Sequence, residues 1–440
     1  MPWVRIPSLA PVLLGNHFFI HMANRETNKV ITFGCRLNIY ESQVIQDLLK
    51  ESGTENTIVM NTCAVTAEAE RQAFQAIRRT RRENPNHKII VTGCAAQINP
   101  EKFASLSDVD QVIGNQEKMK LESFLSKDPS RVLVQDIMSS TQTHTPVVST
   151  FDGKTRAFIE IQNGCNHRCT FCRIPYGRGN SRSVPLRDIL SQIQHLVDQG
   201  IPEVILTGVD ITSYGEDFTP KLTLGLCVQE ILHHIPNLKR LRLSSVDPVE
   251  FDESLWEAFA TNPRLMPHVH ISLQAGDDLI LKRMKRRHLR QDVIDFCTRM
   301  RSLRPDVVFG ADIIAGFPTE TEEMFQNSLD LIEACTISFL HVFPFSPHKE
   351  TPASRMPQVN RGIIKERAAR LRQKGDHMKT KLFASLVGTH AEIVIERDQT
   401  GLTEHFASLI PDQTLEPGSL ARVKITGHTS KHLLGTVLSC

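Results

Sequence analysis

The stretch Gly164-Cys-Asn-His-Arg-Cys-Thr-Phe-Cys-Arg-Ile-Pro-Tyr176 places Cys165, Cys169 and Cys172 in a Cys-x3-Cys-x2-Cys spacing. Thiolates are soft ligands that suit iron–sulfur clusters and zinc. Three thiolates on a four-iron cluster leave one iron without a protein ligand, and that iron is open to substrate chemistry. A structural zinc ion would need a fourth ligand, such as His167, to complete its tetrahedron. The spacing therefore predicts a cluster with an open iron, and a zinc loop is the alternative.

This spacing, with an aromatic residue before the last cysteine, resembles the radical S-adenosylmethionine (SAM) superfamily. With the flanks Ile161-Gln-Asn-Gly-Cys165 and Ile174-Pro-Tyr-Gly-Arg-Gly-Asn-Ser-Arg-Ser183, the stretch is similar to the methylthiotransferases. Its tail, Arg178–Ser183, most resembles the branch that acts on threonylcarbamoyladenosine in tRNA. The resemblance implies that the open iron binds the amino and carboxylate groups of SAM, and that a reducing electron donor triggers cleavage to a 5′-deoxyadenosyl radical.

The first third of the chain repeats a unit of apolar strand, cysteine and helical segment. Each predicted strand is followed at once by its cysteine: Lys29–Gly34 by Cys35, Thr57–Thr62 by Cys63, and Lys88–Gly93 by Cys94. Strands that alternate with helices predict a parallel sheet, and ligands collect at the carboxyl ends of such strands. Three thiols at that edge predict a second four-iron cluster, with buried core cysteines as the alternative. This region also resembles the amino-terminal methylthiotransferase domain, which implies that the second cluster presents sulfur for insertion.

The middle of the chain predicts six strand–helix units, which resemble the partial (βα)6 barrel of radical SAM enzymes. The predicted strands are Ala157–Gln162, Glu203–Thr207, Arg240–Ser245, Val269–Gln274, Val308–Ala315 and Phe339–Phe345. Polar or glycine-rich strand ends should share a rim with Cys165, and they supply the candidates for binding SAM: Asp210, Ser244, Gln274, Asp312 and Gly316. A carboxylate there would balance the sulfonium or bind ribose hydroxyls, and ordinary strand-end polarity is the alternative.

The end of the chain changes to short strands with Gly, Pro and Asp turns, which predicts a small antiparallel barrel. It resembles the TRAM RNA-binding module. The preceding stretch, residues 361–381, contains eight Lys and Arg residues and is interpreted as a ridge that contacts tRNA phosphates, with a solvated helix face as the alternative. We therefore expect the first two domains to hold the chemistry and the third to deliver RNA.

The predicted fold class is α/β, with an amino-terminal parallel sheet domain, a central partial (βα)6 radical SAM barrel and a carboxy-terminal TRAM-like β-barrel. The expected boundaries are a disordered extension at 1–27, the sheet domain at 28–125, a linker at 126–150, the barrel at 151–379 and the TRAM-like domain at 380–440. A net charge of +2 neither requires nor excludes nucleic acid. No segment reaches 18 apolar residues, so we predict no membrane span, and the reduced cysteines predict a cytoplasmic protein.

The predicted function is methylthiolation of threonylcarbamoyladenosine beside the tRNA anticodon, with two 4Fe-4S clusters and SAM as cofactors. The implied partners are the anticodon stem-loop of tRNA, a reducing electron donor and a sulfur donor. Two related substrates stay open, isopentenyladenosine in tRNA and a ribosomal-protein aspartate. A non-catalytic iron–sulfur RNA-binding protein is the alternative from another class.

Overall fold

The computed structural model describes residues 28–125, 130–141, 143 and 155–439. It contains a five-stranded sheet, two three-stranded sheets, a closed five-stranded barrel and a two-stranded hairpin. The expected extension at 1–27, and residues 126–129, 142 and 144–150 of the expected linker, lie outside the described residues. The α/β class with a small carboxy-terminal β-barrel is confirmed.

The first sheet is parallel throughout, in the order β1-β2-β3-β4-β5. Its elements are β1 Lys29–Thr32, α1 Arg36–Glu51, β2 Thr57–Thr62, α2 Ala67–Glu83, β3 Lys88–Gly93, α3 Cys94–Ile98, α4 Pro100–Ala104, β4 Gln111–Ile113, α5 Glu122–Leu125 and β5 Val132–Leu133. Strand β2 is buried along its whole length, and such strands have continuous apolar sequences. The sequence placed Val132–Val134 in a linker, whereas β5 pairs with β4 and completes the sheet.

The central unit has the six parallel strands that the sequence predicted, in the order β6-β9-β10 and β11-β12-β13, joined by bridges near β10 and β11. Its elements are β6 Arg156–Glu160, β7 Gln162–Asn163, α6 Ile174–Arg178, β8 Arg182–Ser183, α7 Leu186–Asp198, β9 Glu203–Thr207, α8 Leu224–His234, β10 Arg240–Leu243, α9 Glu253–Thr261, β11 His268–Gln274, α10 Asp278–Met284, α11 Arg290–Leu303, β12 Val308–Ala315, α12 Glu322–Ala334, β13 Ile337–Pro344 and α13 Arg361–Leu386. Helix α1 of the first unit packs against the edge strand β6, while α13 packs against the other edge strand, β13.

The carboxy-terminal strands close into a barrel in the order β14-β15-β16-β18-β17. They are β14 His390–Ile395, β15 Gly401–Thr403, β16 Ser408–Pro411, β17 Leu420–His428 and β18 Leu433–Ser439. The sequence analysis did not identify β15. Helix α13 runs through the expected boundary at residue 379 and contributes Phe383 to the core of the small barrel.

The small barrel docks on the amino-terminal ends of the central strands. Arg240 Nη2 donates to the carbonyl of Glu392 at 2.5 Å, and Arg242 Nη2 donates to that of Thr403 at 2.7 Å. Arg156 Nε lies 2.6 Å from a carboxylate oxygen of Glu396. This domain therefore covers the floor of the central barrel, and its part in binding RNA stays a prediction.

Four of the eight basic residues of the predicted ridge are engaged within the fold, and phosphate contact by the ridge stays a prediction. Arg367 is buried and pairs with Glu320 at 2.9 Å, while Arg370 pairs with Glu322 at 2.6 Å. Lys374 and Lys379 also pair with acidic residues, Glu333 and Asp376. These four residues serve to pack and pair α13, so they do not form a free phosphate-binding face. Among the described helices, none has both the length and the apolar character that crossing a bilayer requires.

Candidate iron–sulfur and substrate site

The first cysteine triplet lies at the carboxyl edge of the five-stranded sheet, as predicted. Glycines precede two of its members because the chain is crowded there. Gly34 has a φ of +99°, and a Cβ on it would lie 2.7 Å from the sulfur of Cys63. Gly93 has a φ of +95°, and its Cβ would lie 2.2 Å from the carbonyl oxygen of Thr62. Only glycine tolerates both conditions, and this lets the strand ends converge.

A buried ionic network holds the sulfur of Cys94. Arg178 Nε donates to Cys94 Sγ at 3.1 Å, and its Nη1 donates to Glu41 at 2.8 Å. Lys118 Nζ binds the other oxygen of Glu41 at 2.6 Å, and its side chain is fully buried. Burial opposes ionisation of Glu41, but Arg178 and Lys118 outweigh it and lower the pKa of Glu41 to about 2. The network therefore keeps two cations and one carboxylate beside the triplet.

The second triplet lies in the loop after β7, at the carboxyl end of the first barrel strand. Cys165 Sγ is 3.6 Å from Asp210, and Asp210 is also 2.8 Å from His167. Arg286 Nη1 is 3.5 Å from Cys169 Sγ, and its Nη2 binds Asp247 at 2.7 Å.

Each triplet contains thiols whose pKa is raised, and which are therefore poor acids without a metal. Burial, followed by the Cys35 and Cys94 thiols, raises the pKa of Cys63 to about 12. Burial, followed by Cys169, raises the pKa of Cys172 to about 12. Bound metal ions supply the positive charge that keeps such groups as thiolates. The backbone N–H of Ile174, 3.4 Å from Cys172 Sγ, is already placed to donate to a thiolate.

The spacing of the thiols is compatible with a four-iron cluster. Among the residues that the structure describes, neither triplet has its three Sγ atoms all within 4.8 Å of one another. A zinc ion with Zn–S bonds of about 2.3 Å would draw its thiolates to within about 4 Å. A four-iron cluster accepts a wider spacing, because each cysteine binds a different iron. His167 groups with Cys165 and Asp210, so it does not complete a zinc site with the other two cysteines.

The segment that follows the second triplet packs against the first triplet. Helix α6 begins shortly after Cys172, and its Gly177 would bring a Cβ within 3.2 Å of the Cys94 Cβ. Arg173, in the same segment, lies 3.6 Å from Glu70 of α2. The five-stranded sheet therefore presents its cysteine edge to the cysteine loop of the barrel.

The five candidate SAM-binding residues lie in different surroundings in the structure. Asp210 lies beside Cys165, and Ser244 is buried just after β10. Gln274 ends β11 with a φ of +69°. Gly316 packs against α13, where a Cβ would lie 2.5 Å from Ile364, so helix packing accounts for this glycine. The roles of these residues in binding SAM stay predictions.

Asp312, the fifth candidate, belongs to a histidine pair inside the barrel. Its Oδ1 lies 3.0 Å from His270 Nε2 and 3.1 Å from His341 Nδ1. Adjacent strands bring these three residues side by side, since β12 pairs with both β11 and β13. Sequence reasoning did not detect this group, because the three positions are separated by about thirty to forty residues and follow no ligand spacing.

Several functional candidates escaped sequence reasoning for the same reason. Arg286 lies in the basic sequence Lys282–Arg287, yet its guanidinium turns inward to Cys169. Arg178 was noted only as part of a family signature. Glu41 and Lys118 lie in ordinary helical and loop sequence, and only their burial in the folded protein identifies them as functional candidates.

Comparison with known proteins agrees with this geometry. Residues 159–332 match the radical SAM superfamily, and residues 27–114 match an uncharacterized protein family, UPF0004. The fold is similar to that of TsrM, a radical SAM methyltransferase from Kitasatospora setae, with a TM-score of 0.56 and 14% identity over 74% of this chain and 75% of that chain. The fold and the cysteine loop thus define a radical SAM enzyme.

The relatives define the family within that class. A threonylcarbamoyladenosine tRNA methylthiotransferase MtaB from Rickettsia prowazekii is 50% identical over 93% of this chain and 97% of its own length. An MtaB from Aquifex aeolicus is 33% identical over 90% of this chain and 98% of its own. A tRNA-2-methylthio-N(6)-dimethylallyladenosine synthase from Ehrlichia canis is 34% identical over 81% and 85%. The chain therefore belongs to the radical SAM methylthiotransferase family.

Proposed function

We propose that this enzyme methylthiolates N6-threonylcarbamoyladenosine next to the anticodon of tRNA, to give the 2-methylthio derivative, with SAM and two 4Fe-4S clusters. The observation that carries the proposal is the contact of α6 with Cys94, which joins the unit that holds the second triplet to the first triplet. The relative from Rickettsia prowazekii, at 50% identity, supports the threonylcarbamoyl branch.

The proposed methylthiolation requires both cysteine sites. An aromatic C–H bond has no easy acid–base route at neutral pH, so a radical cofactor is needed. When bound, the group on Cys165, Cys169 and Cys172 supplies reductive cleavage of SAM, and the group on Cys35, Cys63 and Cys94 supplies the sulfur. A reducing electron donor and a sulfur donor complete the reaction.

The protein's own residues position these groups. Arg286 and Asp210 flank the cysteine loop and orient Cys169 and Cys165, respectively. Arg178 holds Cys94 against α6, which keeps the sulfur-bearing side facing the barrel. A base in the anticodon loop is single-stranded and can be splayed into the space between them.

The test is nucleoside mass spectrometry after anaerobic incubation of the reconstituted enzyme with SAM, a reductant, a sulfide source and tRNA. We expect conversion of threonylcarbamoyladenosine to its 2-methylthio form. Cys63→Ala should still yield 5′-deoxyadenosine but no methylthio nucleoside, since only the sulfur site is lost. Normal thiolation by Cys63→Ala would contradict the assignment of the first triplet.

The same assay separates the other candidates. If the methylthio group is found on isopentenyladenosine alone, the substrate would match the one named for the relative from Ehrlichia canis. Thiolation of a ribosomal-protein aspartate and not of tRNA would transfer the proposal to a protein substrate. Absence of 5′-deoxyadenosine from a protein with its full iron content would favour the non-catalytic iron–sulfur RNA-binding protein.

A further inference from the structure

Arg36, the residue after Cys35, has an unusual environment for a guanidinium. It opens α1 and is half-buried, and its guanidinium carbon lies 5.3 Å from the ring centre of Phe406. Among the described residues it makes no hydrogen bond and no ion pair. Its guanidinium nitrogens keep contact with solvent, so the group can take up an anion without breaking an existing pair.

The neighbouring arginines show the contrast. Arg156 pairs with Glu396 at 2.6 Å, and Arg242 pairs with Glu203 at 2.9 Å and donates to two backbone carbonyls. The carboxylate of Asp312 is engaged through Oδ1 by two histidines and forms no ion pair with Arg36. Arg156 and Arg242 at the floor of the barrel are therefore neutralised by nearby carboxylates, whereas the guanidinium of Arg36 is available to bind an anion.

The carboxy-terminal barrel supports the Arg36 side chain through a turn at Phe406. Phe406 has a φ of +65°, an uncommon conformation for a bulky residue, in a tight turn closed by the Phe406 N–H to Thr403 carbonyl bond of 3.1 Å. This turn stacks the Phe406 ring on His268, with centroids 4.7 Å apart. Arg36 and Arg242 both lie over this ring, 5.3 and 5.6 Å from its centre, so the ring contacts the Arg36 guanidinium within the barrel.

We propose that Arg36 binds the free carboxylate of the threonine moiety on the substrate base. The proposal rests on the proposed function. A base that takes sulfur from the Cys35, Cys63 and Cys94 site must lie beside Cys35, and Arg36 is the next residue along the chain. Its substituent would thus enter the barrel near Arg36. A guanidinium matches a carboxylate with two parallel hydrogen bonds, which makes Arg36 a specificity-determining residue.

The same pairing explains discrimination against an apolar substituent. An isopentenyl group would cover the guanidinium and give it no partner, so binding would carry the full cost of desolvation. RNA phosphates are a poorer match, since Arg36 lies inside the barrel between α1 and Phe406 and not on an outer face.

The experiment measures binding of labelled anticodon stem-loops to the anaerobically reconstituted holoprotein by fluorescence anisotropy. The stem-loops carry threonylcarbamoyladenosine, its methyl ester, isopentenyladenosine or unmodified adenosine. We expect the wild type to bind the acid roughly 10-fold or more tightly than the ester, as for a hydrogen-bonded charge pair. Arg36→Gln should bring the acid-to-ester ratio to near one, and Arg36→Lys should retain part of it.

The ratio within each variant is insensitive to losses of active protein, and Arg78→Gln, an exposed charge removal on α2, is the matched control that should keep the wild-type ratio. An unchanged ratio in Arg36→Gln, or no acid preference in the wild type, would overturn the proposal. If the wild type converts threonylcarbamoyladenosine while either result holds, only the role of Arg36 fails. If it does not convert that nucleoside at all, the proposed function fails as well.

Discussion

Arg178 and Cys94 are joined across two units of the chain, with the guanidinium Nε of Arg178 3.1 Å from the sulfur of Cys94. Arg178 ends the helix that follows the barrel's cysteine loop, whereas Cys94 follows the third strand of the amino-terminal sheet. One buried side chain thus ties the candidate SAM-cleaving site to the candidate sulfur site.

The first prediction concerns this link. Arg178→Gln removes the donor to Cys94 and leaves buried Glu41 with Lys118 alone, a loss of about 3–5 kcal/mol for a broken buried pair. We expect iron to be lost from the amino-terminal site first, which iron analysis and electron paramagnetic resonance would detect. Arg187→Gln, an exposed charge change on α7, should keep the wild-type iron content. Equal iron in both variants would argue against the role given to Arg178.

The second prediction concerns the number of clusters. Anaerobic reconstitution should give about eight irons per chain, and the triple Cys→Ala change at 165, 169 and 172 should leave about four, because the triplets belong to separate units. Iron analysis with circular dichroism as a folding control decides this. A folded triple variant without iron would contradict the two-site assignment.

The third prediction concerns the floor of the barrel. Glu203 is fully buried and faces Arg242 at 2.9 Å, Arg156 at 3.5 Å and Arg240 at 3.7 Å. Glu203→Gln removes the central negative charge from three guanidiniums, at a cost of about 3–5 kcal/mol. We expect a lower thermal midpoint and faster proteolysis at residues 387–389, where the small barrel joins. Glu257→Gln, on the exposed face of α9, should melt like the wild type, and the idea fails if Glu203→Gln does too.

The fourth prediction concerns pH. Burial, then the charges of His270 and Arg242, hold the pKa of His268 well below 6.5. Below about pH 6.5 the unfolded chain binds a proton that the folded chain rejects. The free energy of unfolding therefore falls as pH drops, by up to about 1.4 kcal/mol per pH unit from this group.

His268→Phe removes this titration and keeps an aromatic face toward Phe406. Its thermal midpoint should therefore fall less than that of the wild type between pH 6.5 and 5.5. Parallel losses in the two proteins would show that His268 does not carry the acid sensitivity.

The sequence by itself determined the elements whose signals are local. Alternating apolar strands and helices predicted the parallel sheet and the six barrel strands, and β2, β3, β9 and β12 have their predicted bounds. The cysteines were visible because ligand residues cluster in a loop or recur at strand ends. Cys227, Cys297 and Cys335 lie in apolar sequence and are buried in the core.

Only the tertiary structure decided which distant charges meet. Arg178 reaches Glu41 across 137 residues, and Arg242 reaches Thr403 across 161. No periodicity encodes such pairs, since burial in a low dielectric, and not sequence distance, makes them strong. The same reason explains why the basic residues of α13 suggested a free ridge. The carboxylates that pair with several of them are brought close only by the fold. Arg36 was likewise invisible in sequence, because what distinguishes it is the absence of a partner where its neighbours Arg156 and Arg242 each have one.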